Sequence, residues 1–305
     1  VTFGKTLKLE NVSLSSVGLM DINGDTEWIN STVYHEQSSS GDNISIYAKL
    51  EIINTELTLS TLQKNSEVSA NCIFLAPGST LIIRDFDLDS STTNDRSKIS
   101  SDITGKGNYT EKWNYTIPIG VIGSYDRYGN ELGVENTKVF IQNSDFEFIQ
   151  TLRFTGENSY IKNSTFNNTG TINAGLDNLL FYNNSVSNSY LQNTLPWDVR
   201  VWGDEAIIEG NTFQNGTGGF VLHGTLTKIT SNIFKDYYYR GGTSVLTFGN
   251  SSTNCTLSNN LFTNLTSIHA LVLHTSDDNL IKNNTFINAG VYWHTIVDRS
   301  GFRNN

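Results

Sequence analysis

Methionine occurs once, cysteine twice and proline three times in 305 residues, and charged side chains make up only 16%. Each scarcity narrows the possibilities. Cys72 and Cys255 lie far apart in no metal-ligand spacing, and they read as two buried thiols rather than a disulfide or a zinc site. The five histidines show no such spacing either, so neither a metal nor a cofactor is expected. No apolar run is long enough to cross a bilayer as a helix, and membrane insertion is not expected within this segment. Acidic residues outnumber basic ones 30 to 20 and the pI is near 4.9, which argues against a nucleic acid or an anionic membrane as partner. No secretory signal is visible, and Val1 reads as a processed or trimmed start.

What the chain has in quantity is asparagine, 37 residues of it, with serine and threonine also abundant. Those side chains offer the backbone competing hydrogen bonds and disfavour helices. With 37% apolar and 11% aromatic residues, the chain still has material for a core.

One phrase recurs. IKNNTF (281–286) nearly repeats IKNSTF (161–166). The frame is an apolar residue, any residue, an Asn-like residue, two of any kind, then an apolar residue. It also fits LENVSL (9–14), IINTEL (52–57), IRDFDL (83–88), IQNSDF (141–146), FYNNSV (181–186), IEGNTF (208–213), ITSNIF (229–234) and LSNNLF (257–262). From Phe146 onward the final positions follow one another at 20 to 28 residues, the signature of a solenoid of strands. Alternating apolar residues turn one strand face inward. The Asn-like residue suits a sharp corner, because Asn tolerates left-handed backbone angles. Stacked amides would then form a ladder, here assigned to Asn143, Asn163, Asn183, Asn259 and Asn283.

The phrase resembles the right-handed parallel β-helix of the pectin-lyase-like superfamily. In composition the chain looks like the Asn-, Ser- and Thr-rich β-helix surface proteins of methanogenic archaea. The resemblance implies an all-β fold of ten or more coils, with three short strands each and an Asn ladder at the second turn. The phrase then holds the end of the second strand, the turn and the third strand. First strands are expected at LRFTG (152–156), VRVWG (199–203), FVLHG (220–224), VLTFG (245–249), LVLHT (271–275) and TIVDR (295–299). The reading is one β-helix domain over 1–305, with irregular coils over 1–90 and regular coils over 138–305. A loop excursion over 91–137 hides one coil through IPIGVIG, and a second excursion runs through 20–47. Phe302 and Asn304 fit the frame again, so the coils are expected to continue past 305.

In the enzymes of that superfamily the active cleft lies over the outer face of the first-strand sheet. Alternation assigns Arg153, Arg200, Val221, Leu246, Val272 and Ile296 to that face, with Thr155, Trp202, His223, Phe248, His274 and Asp298. The face is unusually apolar, since a solvated sheet alternates apolar with polar. A loop of the same chain or a neighbouring subunit would cover it. Alternatively it is a sugar groove, with Trp202 and Phe248 as platforms and Arg200, His223, His274 and Asp298 as polar contacts.

No catalytic residues are assigned. Asp204, Glu205 and Asp298 border the face without forming a pair on adjacent coils. Arg200 beside Asp198 and Asp204 reads as surface charge. RDFDLD (84–89) puts Asp85, Asp87 and Asp89 on one side, an arrangement open to a cation or to nothing more than a polar strand edge.

N-x-S/T occurs thirteen times. Asn30, Asn43, Asn108, Asn114, Asn215, Asn250 and Asn264 are the glycan acceptor candidates, whereas Asn163, Asn183 and Asn283 belong to the ladder. The expectation is an extracellular or cell-surface structural protein, self-associating into a lattice or filament and carrying N-glycans. A polysaccharide-binding adhesin or carbohydrate-active enzyme is the alternative.

Overall fold

The computed structural model describes residues 2–38, 43–61, 71–87, 95–101, 121–123, 137–147, 149, 151–169, 171–187, 199–216, 219–237, 244–249, 251–266, 269–274, 278–294 and 301–303. The described residues contain strands and no helix, and every pairing between strands is parallel. The chain divides into two compact units, Val1–Gly156 and Glu157–Asn305, and each is an all-β parallel β-helix of three sheets.

In the first unit the first sheet runs through Met20–Ile22, Ile44–Ile46, Asn71–Leu75 and Val121–Gly123. The second runs through Leu7–Glu10, Thr26–Ile29, Lys49–Ile53, Thr80–Arg84 and Lys138–Gln142. The third holds Ser13–Val17, Thr32–Gln37, Glu56–Thr61, Ser97–Ser101 and Ser144–Glu147. Two expectations change here. The described residues of 20–47 form a coil in place of an excursion: WINSTV (28–33) is a full copy of the frame, with Trp28 paired to Ile52 and Val33 to Leu57. The inward third-strand residue after Ile83 is Ile99, paired with Leu57 and Phe146, not Leu88, which lies outside the described residues. The chain leaves the coil after Arg84 and rejoins it at Ser97. The hidden coil through IPIGVIG supplies the first-sheet strand Val121–Gly123.

In the second unit the coils are regular. The frame residues Ile161, Phe181, Ile208, Ile229, Leu257, Ile281 and Phe302 stand at one level of the second sheet. Phe166, Val186, Phe213, Phe234, Phe262 and Phe286 do so in the third. The rings of Phe213, Phe234, Phe262 and Phe286 stack at 4.9, 4.8 and 5.0 Å and lie within 10° of parallel, which matches the spacing of hydrogen-bonded strands.

The buried ladder runs one residue beyond the predicted one. Asn184, Asn211, Asn232, Asn260 and Asn284 are buried. Each of the first four donates Nδ2 to Oδ1 of the next, at 2.9–3.1 Å, and all five donate to a backbone carbonyl at 2.8–3.0 Å. Asn163, Asn183, Asn259 and Asn283 hold the corner before it, at φ of 50–57°, and the last three are exposed. Of the corner pairs, Asn183 reaches Asn163 Oδ1 at 2.9 Å. In the second unit a left-handed corner turns its own side chain away from the stack and the next one into it, so the ladder falls on the second residue; in the first unit Asn143, also left-handed at φ 46°, is fully buried against Asp85. The first unit uses hydroxyls there: Ser31 Oγ, Thr55 Oγ1 and Ser97 Oγ accept the N–H of Val12, Ser31 and Thr55.

Candidate functional site: the outer face of the first sheet

In the second unit the first sheet contains Thr171–Asp177, Val199–Val201, Phe220–Leu222, Ser244–Phe248, His269–His274 and Gly290–His294. Its register settles which residues face out. Phe220 pairs with Leu246 and Leu222 with Phe248, and Phe220 packs edge-on to the core rings of Phe213 and Phe234. Leu246 and Phe248 therefore point inward and are fully buried. The reading of Phe248 as an exposed platform is corrected: the outward residue of that strand is Thr247, paired with Val221 and Val272. The final strand is Gly290–His294 instead of 295–299, because the turn after Phe286 is short. Ile296 and Asp298 lie outside the described residues.

Val221, Val245, Thr247, Ala270 and Val272 face away from the core and yet are no more than 2% exposed. The single chain thus covers much of this face itself. The exception lies beside Val201. Trp202 is 47% exposed, and its indole stacks on the His223 imidazole with centroids 3.9 Å apart and planes 5° from parallel. A Cβ on Gly249 would come within 2.5 Å of His223 Nδ1, so the glycine makes room for the imidazole on the next coil. On the other side, Ala174 pairs with Val201, which sets Gly175, a residue without a side chain, level with Trp202.

Arg200 is half-buried on the same strand. Burial first, and then the positive charge of Arg200, lower the pKa of His223 below its ordinary value. His274 pairs with His294 on later coils of the same sheet. The side chains of Arg153, Thr155, His274 and His294, and the residue Asp198, lie outside the described residues.

The nearby carboxylates serve as turn acceptors. Asp177 Oδ1 accepts the Asp204 N–H at 2.8 Å and Asp204 Oδ1 accepts the Thr225 N–H at 2.6 Å. Glu205 holds a left-handed corner at φ 57°. Cys255 is a free, buried thiol pushed up to about 11, chiefly by burial.

The acceptor candidates separate by burial. Asn30, Asn215 and Asn264 are exposed left-handed corners. Asn43 is 8% exposed and accepts a hydrogen bond from Gln37 Nε2, unlike those three. Asn108, Asn114 and Asn250 lie outside the described residues. Asn183 and Asn283, set aside as inward, are exposed.

In the first unit Asp85 and Asp87 are joined by Asp95, whose oxygens with theirs lie within 4.8 Å of one another. Asp89 lies outside the described residues. The Asp85–Asp95 approach was invisible in the sequence pattern, because it depends on where the chain rejoins the coil.

No protein-family model and no curated protein sequence matches this chain. Among solved structures it is similar to the periplasmic alginate epimerase AlgG, at 11% identity over 94% of this chain and 75% of that one, with a TM-score of 0.47. It is similar to the Streptococcus pneumoniae surface protein and adhesin PfbA, at 14% identity over 98% and 91%, with a TM-score of 0.43. It is also similar to a mannuronic acid specific polysaccharide family 6 lyase from human gut microbiota, at 12% identity over 97% and 72%, with a TM-score of 0.30.

Proposed function

We propose that this chain is an extracellular, cell-surface β-helix that binds acidic polysaccharide at Trp202. The carrying observation is the indole itself: nearly half exposed, backed by His223, and level with Gly175 on the neighbouring coil. An aromatic plane held rigid in this way offers a sugar ring a stacking surface at little conformational cost. Arg200 lies two residues before Trp202, a local positive charge in a chain of net charge −10, and the preference for uronate over neutral sugars is proposed from it. Binding is favoured over cleavage because Asp177 and Asp204 spend carboxylate oxygens on turn N–H groups. The outward corner sequons at Asn30, Asn215 and Asn264 suit a secreted glycoprotein.

Self-association through this face draws less support, since Val221, Leu246, Phe248 and Val272 are buried within one chain. The test is a panel of acidic and neutral polysaccharides probed with the wild-type chain and with Trp202→Ala. The expected result is retention of an acidic glycan by wild type and a loss of about tenfold or more in the variant, the range seen for stacked aromatic anchors. Binding that ignores the substitution, or a panel with no binder, overturns the proposal.

A further inference from the structure

Eleven corners join the second sheet to the third in the described residues. Ten take left-handed backbone: Asn11, Asn30, Asn54, Asn143, Asn163, Asn183, Gly210, Ser231, Asn259 and Asn283. Asp85 stands at the eleventh and stays out of that region. There the chain departs from the coil and returns at Ser97, whose Oγ donates to the Arg84 carbonyl at 2.7 Å. Asp85 sits at the neck of this departure, fully buried. Its Oδ2 accepts from Asn143 Nδ2 at 2.8 Å, while its Oδ1 has no partner. A buried carboxylate oxygen without a partner is costly and calls for a ligand.

The surroundings supply more negative charge. Asp87, on the way out, and Asp95, on the way back, bring oxygens within 4.8 Å of Asp85 and of each other. Arg84 is turned toward Glu51 at 2.9 Å and toward the carbonyls of Asp85 and Phe86. Arg96 reaches Asp145 at 2.8 Å and the Ser144 carbonyl at 3.1 Å. Burial, followed by Asp95 and Asp87, raises the pKa of Asp85 despite the opposing Asn143 hydrogen bond.

We propose that Asp85, Asp87 and Asp95 form a divalent-cation site, suited to Ca²⁺, that clamps the neck of the excursion between Arg84 and Ser97. The donors are all hard oxygens. Two of them come from the departing segment and one from the returning segment of a corner that leaves the left-handed pattern of the others, which suits the variable coordination of Ca²⁺ better than the strict octahedron of Mg²⁺. The cation occupies the orphaned Oδ1 of Asp85 and takes one oxygen each from Asp87 and Asp95. The site belongs to a corner of the first unit, whereas Trp202 belongs to the second, and the cation proposal stands independently of the sugar-binding one.

Calorimetric titration with Ca²⁺ and thermal unfolding in Ca²⁺ or EDTA test it. Wild type is expected to bind one ion, with a dissociation constant of roughly 10⁻⁴–10⁻³ M as in extracellular modules, and to unfold at a higher temperature with Ca²⁺. Asp87→Asn with Asp95→Asn, both near the surface, removes both effects. Asp85→Asn also removes them, yet in EDTA it unfolds no earlier than wild type, because its amide oxygen still accepts from Asn143 and no charge is left buried. Wild type showing no heat and no shift at about 10 mM Ca²⁺ overturns the proposal, as does a calcium response retained by either variant.

Discussion

Leu226 occupies a left-handed corner at φ 56° with half its side chain exposed. At the same turn other coils place Asn158, Asn178, Asn254 and Asp278, residues that reach this region at lower cost than a branched apolar side chain. Replacing Leu226 by Asn keeps the backbone bond from its N–H to the Thr253 carbonyl and relieves the strain. The variant should gain about 0.5–1 kcal/mol in denaturant unfolding. Asparagine is the commonest residue of these corners, and that much is visible in the sequence. Doublets such as Asn183–Asn184, Asn259–Asn260 and Asn283–Asn284 hide which member turns inward. The backbone decides, since the left-handed residue faces out and the next residue meets the stack.

The amide ladder of the second unit links consecutive strands through side chains as the sheets do through backbone. Asn232 shows how much one rung carries: its Oδ1 accepts both the N–H and Nδ2 of Asn211, and its Nδ2 donates to Asn260 Oδ1 and the Ile208 carbonyl. Asn232→Ala would orphan several buried groups at once and should cost about 2–4 kcal/mol. Asn259→Gly, at an exposed corner glycine readily adopts, should stay within about 0.5 kcal/mol of wild type. Equilibrium unfolding of the pair separates ladder from corner. Strand parity was legible only where polar residues marked it. In the run VLTF (245–248) one polar residue, Thr247, interrupts the apolar ones, so alternation alone leaves the parity open, and pairing with Leu222 turns Phe248 inward.

Across the whole chain the two units differ in regularity, and the difference tracks insertions. Among the described residues the second unit keeps its corners left-handed, as at Asn254, Asn259 and Asn264. The first carries the departure at Asp85 and a hydroxyl ladder in place of amides. If the molecule is secreted through a glycosylating pathway, occupancy should follow exposure. Peptide mapping of the native material is expected to find glycan on Asn215 and none on buried Asn43. A mass equal to the bare polypeptide would count against the surface-glycoprotein proposal.

The recurring six-residue frame was enough to establish the coil and, in the second unit, the corner between the second and third sheets with its flanking inner columns, because these depend on neighbours a few positions apart and on a period of two. It also set Trp202 and His223 in one outward column. Folding alone settled that the indole and imidazole stack, that Val221 and Val272 are covered, and that Asp85 meets Asn143 58 positions away. Those outcomes arise from contacts between distant coils and from where inserted segments rejoin them, and no local alternation of apolar and polar residues records such contacts.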